Sequence, residues 1–316
     1  RPVAGAGGLR FTGIDSGAGH TCGVTDAGAT YCWGLNDEGQ TGADWTDPGI
    51  EEPSRLPGFQ SWVNVSAGHD HSCGLTSDGS VWCWGDNVTG QLGSGDTFGK
   101  SFQPVQVDSN VEFTAVVAGY YQSCGLAASG QMFCWGRNDQ GQVGDGTNDT
   151  RFTPVAVSGD LTFRTLGGGD AFMCGITTDG SAWCWGSNLS GELGDPALPG
   201  RSTPVLVEGL PNLDKIYGAG GAFTLPSAPA YACGLTSAGD AWCWGGAIRG
   251  GLWEGPTAGP IRVESDTRFR NLGLGAEHLC GVTTEGWAFC VGGNYAGQLG
   301  DGSGQDRSSM VGVVGP

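Results

Sequence analysis

Residues 73–85 read CGLTSDGSVWCWG: two cysteines ten positions apart, an Asp-Gly step between them, and a tryptophan on each side of the second cysteine. With Cys73 set opposite Cys83 in an antiparallel hairpin, Thr76 faces Ser80 and Ser77-Asp78-Gly79 remain as the loop. A three-residue hairpin loop is a type I turn followed by a left-handed residue, and Gly79 stands where that residue belongs. Opposed residues in such a pair have alpha carbons roughly 4.5–5.5 Å apart, within reach of a disulfide. The same spacing recurs from Cys22 to Cys32, from Cys124 to Cys134, from Cys174 to Cys184, from Cys233 to Cys243 and from Cys280 to Cys290. Gly28, Gly130, Gly180, Gly239 and Gly286 hold the turn position in those copies. Free core thiols and a metal site are the other readings of paired cysteines. Zinc motifs set cysteines close together and gather four ligands, whereas each copy here holds one isolated pair. Six disulfides are therefore expected, and with them an oxidising compartment.

The hairpin is part of a larger unit. In five of six copies a proline that opens a short β run precedes the first cysteine by 20 residues, as in Pro53 to Cys73; Pro204 to Cys233 is the departure, at 29. Each unit shows four strand candidates: a run such as FTAVVAG, the C-G-L-T run, the W-C-W-G run and, after a glycine-rich loop, a run such as PVQV. No amphipathic helical window interrupts them. Four strands per unit of about 50 residues is the arithmetic of an all-β fold, a β-propeller. The expected architecture is a single six-bladed propeller with one disulfide per blade. The blades span 11–57, 62–108, 113–158, 163–208, 213–264 and 269–315, and 1–10 form an extra N-terminal strand or arm. Seven outer-strand candidates compete for six places: MVGVV near the C-terminus is expected to finish blade six, leaving PVAG at the N-terminus to pair beside it, stay loose or add to the edge of another molecule in self-assembly.

Gly74 falls opposite Trp82, and the other copies repeat this pair with Tyr31, Phe133, Trp183, Trp242 or Phe289. A glycine there is expected to let that ring lie flat on the neighbouring strand. Trp33, Trp84, Trp135, Trp185 and Trp244 share one repeated position and read as core, while blade six has Val291 there.

The stretches CGLTSDGSVWCWGDNVTGQLGSGD and CGLAASGQMFCWGRNDQGQVGDGT resemble the regulator of chromosome condensation repeat family, whose G-x-N-x-x-G-Q-L-G-D-G signature they carry. The resemblance covers nearly the whole chain and implies a propeller, usually seven-bladed, so that six blades is a departure. Known members include a chromatin-bound nucleotide exchange factor, a plant ultraviolet-B photoreceptor and a secreted bacterial β-lactamase inhibitor. The last is the nearest in compartment. Functions this diverse mean that the resemblance implies the fold and not the task.

Composition narrows the partners. With 14 basic against 32 acidic side chains the formal charge is −18, and the basic residues form no stripe. A phosphate backbone would be repelled, which argues against nucleic acid. No apolar window reaches the roughly eighteen residues of a membrane span. G-x-S-x-G, H-E-x-x-H and phosphate-loop motifs are absent, so no catalytic residue is assigned and the chain is not expected to be an enzyme. No cofactor is expected. Among the histidines, His20, His71 and His278 stand two before a first cysteine with His69 nearby; a structural hydrogen-bonding role is preferred over a metal site. The loops DNVTGQLGSGD and RNDQGQVGDGTNDT offer Asp and Asn oxygens, but lack the pattern of a calcium hand and suit local turn stabilisation.

In a repeat protein, residues that serve one position alone appear as departures from the unit. Blade five carries nine extra residues within GAGGAFTLPSAPAYACG and has GGAIRGGLWEG where other copies have the family loop. Blade one's third loop adds Trp45 among acidic residues. Strand direction alternates, so loops after the first and third strands emerge on one face. Trp45, Phe223, Arg249, Trp253 and Glu254 are accordingly the candidate binding residues, since aromatics and arginine on loops of a rigid scaffold are common anchors. The alternative is a loop that only covers the scaffold with its own side chains. The expected function is a non-enzymatic module binding another protein or copies of itself, extracellular, on the cell surface or in a periplasm. A glycan-binding propeller is the alternative, and a hydrolase or lyase with a central-channel site the third reading. Asn64, Asn87, Asn148 and Asn188 lie in glycan-acceptor motifs.

Overall fold

The computed structural model of the protein describes residues 9–43, 48–58, 61–97, 99–219, 230–246, 257, 259–263, 267–275, 277–295 and 297–313. Those residues form six four-stranded antiparallel sheets, each in chain order, and no α-helix: a six-bladed β-propeller. Blade one comprises β1 (Phe11–Ser16), β2 (His20–Thr25), β3 (Thr30–Leu35) and β4 (Gly49–Arg55). Blade two comprises β5 (Trp62–Ala67), β6 (His71–Thr76), β7 (Val81–Asp86) and β8 (Lys100–Gln106). Blade three comprises β9 (Phe113–Ala118), β10 (Gln122–Ala127), β11 (Met132–Gly136) and β12 (Arg151–Ala156). Blade four runs from β13 (Phe163–Gly168) to β16 (Arg201–Leu206), with β14 (Phe172–Thr177) and β15 (Ala182–Gly186) between. Blade five holds β17 (Lys215–Ala219), β18 (Tyr231–Leu235), β19 (Ala241–Gly245) and the two-residue β20 (Ile261–Arg262). Blade six holds β21 (Phe269–Leu274), β22 (His278–Thr283), β23 (Ala288–Gly292) and β24 (Arg307–Gly312). By its internal contacts the chain divides into two compact units within β13, one ending at Arg164 and the other resuming at Thr165.

The hairpin register is the expected one. Cys73 faces Cys83, Gly74 faces Trp82 and Leu75 faces Val81. The Gly79 amide donates to the Thr76 carbonyl at 3.0 Å, and Gly79 has φ of 82°. Every expected disulfide is formed. Cys22 is bonded to Cys32, Cys73 to Cys83 and Cys124 to Cys134, each pair with alpha carbons 4.1 Å apart. Cys174 is bonded to Cys184, Cys233 to Cys243 and Cys280 to Cys290, at the same 4.1 Å. The turn also connects blades. The Gly79 carbonyl accepts the amide of Phe113, the first residue of the next blade, at 2.9 Å, and Gly28 does the same for Trp62, Gly130 for Phe163, Gly180 for Leu213 and Gly239 for Phe269. A turn that hooks the next unit's first strand leaves little slack between units, which accounts for the rigid spacing in the sequence.

The apolar core lies between consecutive blades. Cys22, Val24, Cys32 and Leu56 of blade one pack with Trp62, Val65 and Trp84 of blade two. Cys73, Leu75 and Val81 pack in turn with Phe113, Val116 and Trp135 of blade three. In the second unit, blade four packs Phe172 and Ile176 on Ile216 and Trp244, and blade five packs Tyr231 on Phe269 and Leu272. Trp84, Trp135, Trp185 and Trp244 are wholly buried, whereas Trp33 is half-buried.

One expectation changes. The glycine opposite the aromatic makes room for a different ring: a Cβ on Gly74 would lie 2.5 Å from the Trp62 side chain, and one on Gly125 equally close to Phe113. The residue opening each of these blades' first strand covers the glycine, and the ring across the hairpin meets it at its edge, as Phe113 meets Phe133 at 6.1 Å. Among the outer-strand candidates, β24 finishes blade six, with Val311 opposite Cys290. The spare PVAG strand lies outside the described residues.

Candidate functional site

The loop after each third strand carries the repeat signature, and its side chains explain why. Buried Asn87 accepts the Leu92 amide at 3.1 Å and donates to the Asp96 carbonyl at 3.1 Å. Asn138 accepts from Val143 at 2.9 Å and donates to the carbonyls of Thr147 and Asp149, each at 3.0 Å. Asn188 and Asn294 repeat the pattern with Leu193 and Leu299. The Gln91 side chain accepts the Thr89 amide at 2.9 Å, and Leu92 plugs the core beneath. Replacing Asn138 by Ala is expected to cost about 3 kcal/mol in urea denaturation, because it removes a wholly buried amide that ties the buried Val143 amide to two loop carbonyls. Exposed Asn148 changed to Ala is the control, expected to shift stability by no more than about 0.5 kcal/mol. These bonds also correct the glycan-acceptor reading: Asn87 and Asn188, 2% and 8% exposed, are spent inside their loops, while Asn64 and Asn148 are at the surface.

The acidic loop oxygens are taken by arginine. Asp145 accepts Arg151 Nε at 2.6 Å and the Thr147 hydroxyl at 2.8 Å, and Asp301 meets Arg307 and Ser303 in the same way. Those partners hold both carboxyls below the usual range against the opposing pull of burial, and Asp301 falls furthest. Among the described residues no group of three or more His, Cys, Asp or Glu could hold a metal ion.

The histidines join one blade to the next. The backbone carbonyl of Gln40 accepts Trp84 Nε1 at 2.9 Å and the Ser72 hydroxyl at 2.8 Å. With its proton so committed, Ser72 accepts from His20 Nε2 at 2.7 Å. One blade on, Gln91 accepts Trp135 and Ser123, and Ser123 accepts from His71 Nε2 at 2.8 Å. Both rings therefore carry their proton on Nε2, and each Nδ1 is buried with no hydrogen-bond partner. Burial lowers the pKa of His20 to about 4 and that of His71 to about 3, so both are neutral. Asp15 supplies a second strap: it accepts the Ser66 hydroxyl and the Ala67 amide, both at 2.9 Å, and Ser66 in turn accepts the Ala118 amide of blade three.

Above these straps, loops of the first three blades enclose an open cavity of about 420 Å³ lined by Glu38, Asp70, Asp86, Val88, Thr89, Tyr121 and Arg137. Glu38, Val88, Thr89 and Arg137 come from loops after third strands, Asp86 ends β7, and Asp70 and Tyr121 come from loops after first strands. Buried Asp86 accepts Gln91 Nε2 at 2.6 Å and the Val88 amide at 3.2 Å. Burial pushes its carboxyl up, with Glu38 and Asp70 adding to the rise. Arg137 makes a two-pronged pair with Asp139, both bonds 2.7 Å, and its guanidinium stands 5.8 Å from the Tyr121 ring centre. Glu38 meets Lys100 at 3.2 Å, and Asp70 meets His69 Nδ1 at 2.5 Å.

The five residues singled out in the sequence, Trp45, Phe223, Arg249, Trp253 and Glu254, all lie outside the described residues. The cavity residues were not singled out, although a signal existed. Tyr120-Tyr121 and His69-Asp70 fill a loop where blade one has Ala18-Gly19, a departure as plain as those in blade five.

The regulator of chromosome condensation (RCC1) repeat matches at residues 11–40, 62–91, 113–142 and 163–192, and a second description of that repeat at 27–75, 78–126 and 129–175. Human regulator of chromosome condensation is 37% identical over 134 residues, 41% of this chain and 32% of that protein. The Arabidopsis thaliana ultraviolet-B receptor UVR8 is 31% identical over 143 residues, 45% of this chain and 32% of the receptor. The matched region thus spans about a third of the length of these relatives. Among solved structures, human WBSCR16 superposes with a TM-score of 0.85 over 99% of this chain and 83% of that one at 21% identity, and yeast RCC1 (Prp20) with 0.81 over 96% and 75% at 18%. The Asn and Gln ties, the tryptophan on the loop carbonyl and the family matches, which together run through 11–192, converge: the chain belongs to the regulator of chromosome condensation (RCC1) repeat family.

Proposed function

We propose that this propeller is a non-enzymatic protein-binding module of an oxidising compartment, extracellular or at the cell surface, and that it presents the face carrying the loops after the first and third strands. One observation carries the reading. At the position after the buried loop asparagine stand Val88, Leu189 and Tyr295, which are 70%, 89% and 73% exposed. The residue type there varies from copy to copy, Asp37 and Asp139 included, so the scaffold does not require it. Large apolar side chains held in water on tied-down loops lose little entropy on docking and release ordered water. Yeast RCC1 has been crystallised bound to Kap60, a case in which a propeller of this kind holds another protein. Six disulfides support the compartment. The glycan alternative drew on Trp45 and Trp253, outside the described residues.

The test starts with a partner captured from the native source. Leu189→Asp with Tyr295→Asp is expected to weaken its binding at least about tenfold, as for hot-spot residues. Trp287→Ser, on the hairpin turn at the opposite end of its blade, is expected to leave it unchanged. Undiminished binding by the double variant would remove the reading.

A further inference from the structure

We infer that the cavity formed by the loops of blades one to three receives an arginine side chain of the partner protein, with Asp70 and Asp86 taking its charge and Tyr121 and Val88 its flat faces. This inference rests on the protein-binding reading above and names the chemistry of the partner.

Charge balance is the first ground. Arg137, the one cation in the lining, is spent on Asp139, and Lys100 sits on Glu38 at the exposed rim. Asp86 lies 5% exposed in the floor, and among the described residues no lysine or arginine pairs with it. Its bonds to Gln91 and Val88 fix the carboxylate in place without neutralising it. Burial raises the Asp86 carboxyl and the nearby Glu38 and Asp70 add to the rise, so a cation arriving beside all three carboxylates would favour their charged forms.

The second ground is shape. A cavity of about 420 Å³ with one aromatic and one aliphatic wall suits a flat, weakly hydrated cation better than a compact ammonium. The site already displays such an arrangement in cis: the Arg137 guanidinium stands on the Tyr121 ring while a carboxylate grips its edge. Tyr121 is itself buttressed edge-on by Tyr120 at 4.4 Å, which in turn meets the tilted His69 ring at 4.1 Å, so the wall is preorganised.

The experiment is an NMR titration of the intact, oxidised protein with the peptide acetyl-Gly-Ser-Arg-Ser-Gly-amide and with its citrulline and lysine versions. The arginine peptide is expected to shift the amides of Thr89, Tyr121 and Arg137. The neutral citrulline peptide should bind at least about tenfold more weakly, the loss of one charge-assisted contact. Asp70→Asn with Asp86→Asn should lose a similar factor, and Glu38→Gln, which leaves the floor intact, about threefold. Asp160→Asn with Glu208→Gln removes the same charge from exposed positions elsewhere and should stay within about twofold. Equal binding of citrulline, lysine binding as tight as arginine, or equal loss in the remote double variant would each overturn the inference. Leu189 and Tyr295 lie outside the cavity. If the peptide fails while their variants still release the partner, only this inference falls.

Discussion

Reduction of the six disulfides is expected to unfold the protein at 25 °C. Each bond closes a loop of ten residues' separation. In the chain-entropy model that restriction of the unfolded chain contributes about 3 kcal/mol. Six such terms total about 18 kcal/mol, above the roughly 5–15 kcal/mol by which ordinary domains are stable. Glycine raises the stakes, since 62 of 316 residues are Gly and each gains more freedom than other residues on unfolding. Urea denaturation with and without a phosphine reductant, followed by the fluorescence of the buried tryptophans, measures the effect. Removing one bridge through Cys73→Ala with Cys83→Ala should cost about 3 kcal/mol and leave the other five blades cross-linked. A reduced protein with an unchanged urea midpoint would show that the bonds decorate a fold secured by other means.

Acid should destabilise the protein well above the pH at which carboxylates titrate, through His20 and His71. In the unfolded chain each takes up a proton near pH 6.5, whereas the folded chain resists until about pH 4 and about pH 3, because the rings are buried and already donate from Nε2 to serine. Between those limits the unfolded state binds more protons. The stability these histidines contribute is therefore complete above pH 6.5 and is lost as pH falls toward 4 and 3. Between pH 7 and pH 5 the loss is about 2 kcal/mol for each ring, about 4 for the pair. Asp15, whose carboxyl burial pushes up, works in the opposite sense, so the comparison must isolate the histidines. His20→Gln with His71→Gln does this. Blade three places Gln122 at the same point, so the amide fits the position and does not titrate. Its stability should be nearly level between pH 7 and pH 5 while that of the parent falls. Equal slopes would mean that the rings gain protons without unfolding.

The scaffold was legible because its rules are local and repeated six times. A fixed spacing between paired cysteines, a glycine at one turn position and a proline at a set distance each constrain a single hairpin or strand, and geometry follows directly. The glycine opposite Trp82 shows where such reasoning fails. The register was right, but the ring that uses the space comes from Trp62, twelve residues before that glycine, on a strand whose side-chain direction no pairing rule specified. The candidate site was less legible still. Glu38, Asp70, Tyr121 and Arg137 are ordinary loop residues and Asp86 ends a strand; they are spread over about a hundred positions, and nothing in one segment announces the others. The departures that drew attention in blades one and five, at Trp45, Phe223, Arg249, Trp253 and Glu254, lie outside the described residues.

The sequence by itself determined six disulfide-stapled hairpins, four strands to a unit and the loop signature of the family, since each depends on residues near one another along the chain. Tertiary structure alone decided which side chains meet across blades: His20 with Ser72, Asp15 with Ser66, and the three carboxylates around one cavity. The reason is that blade-to-blade packing brings together residues about fifty positions apart, and their contact depends on the rotation of one sheet against the next, which hairpin register does not encode.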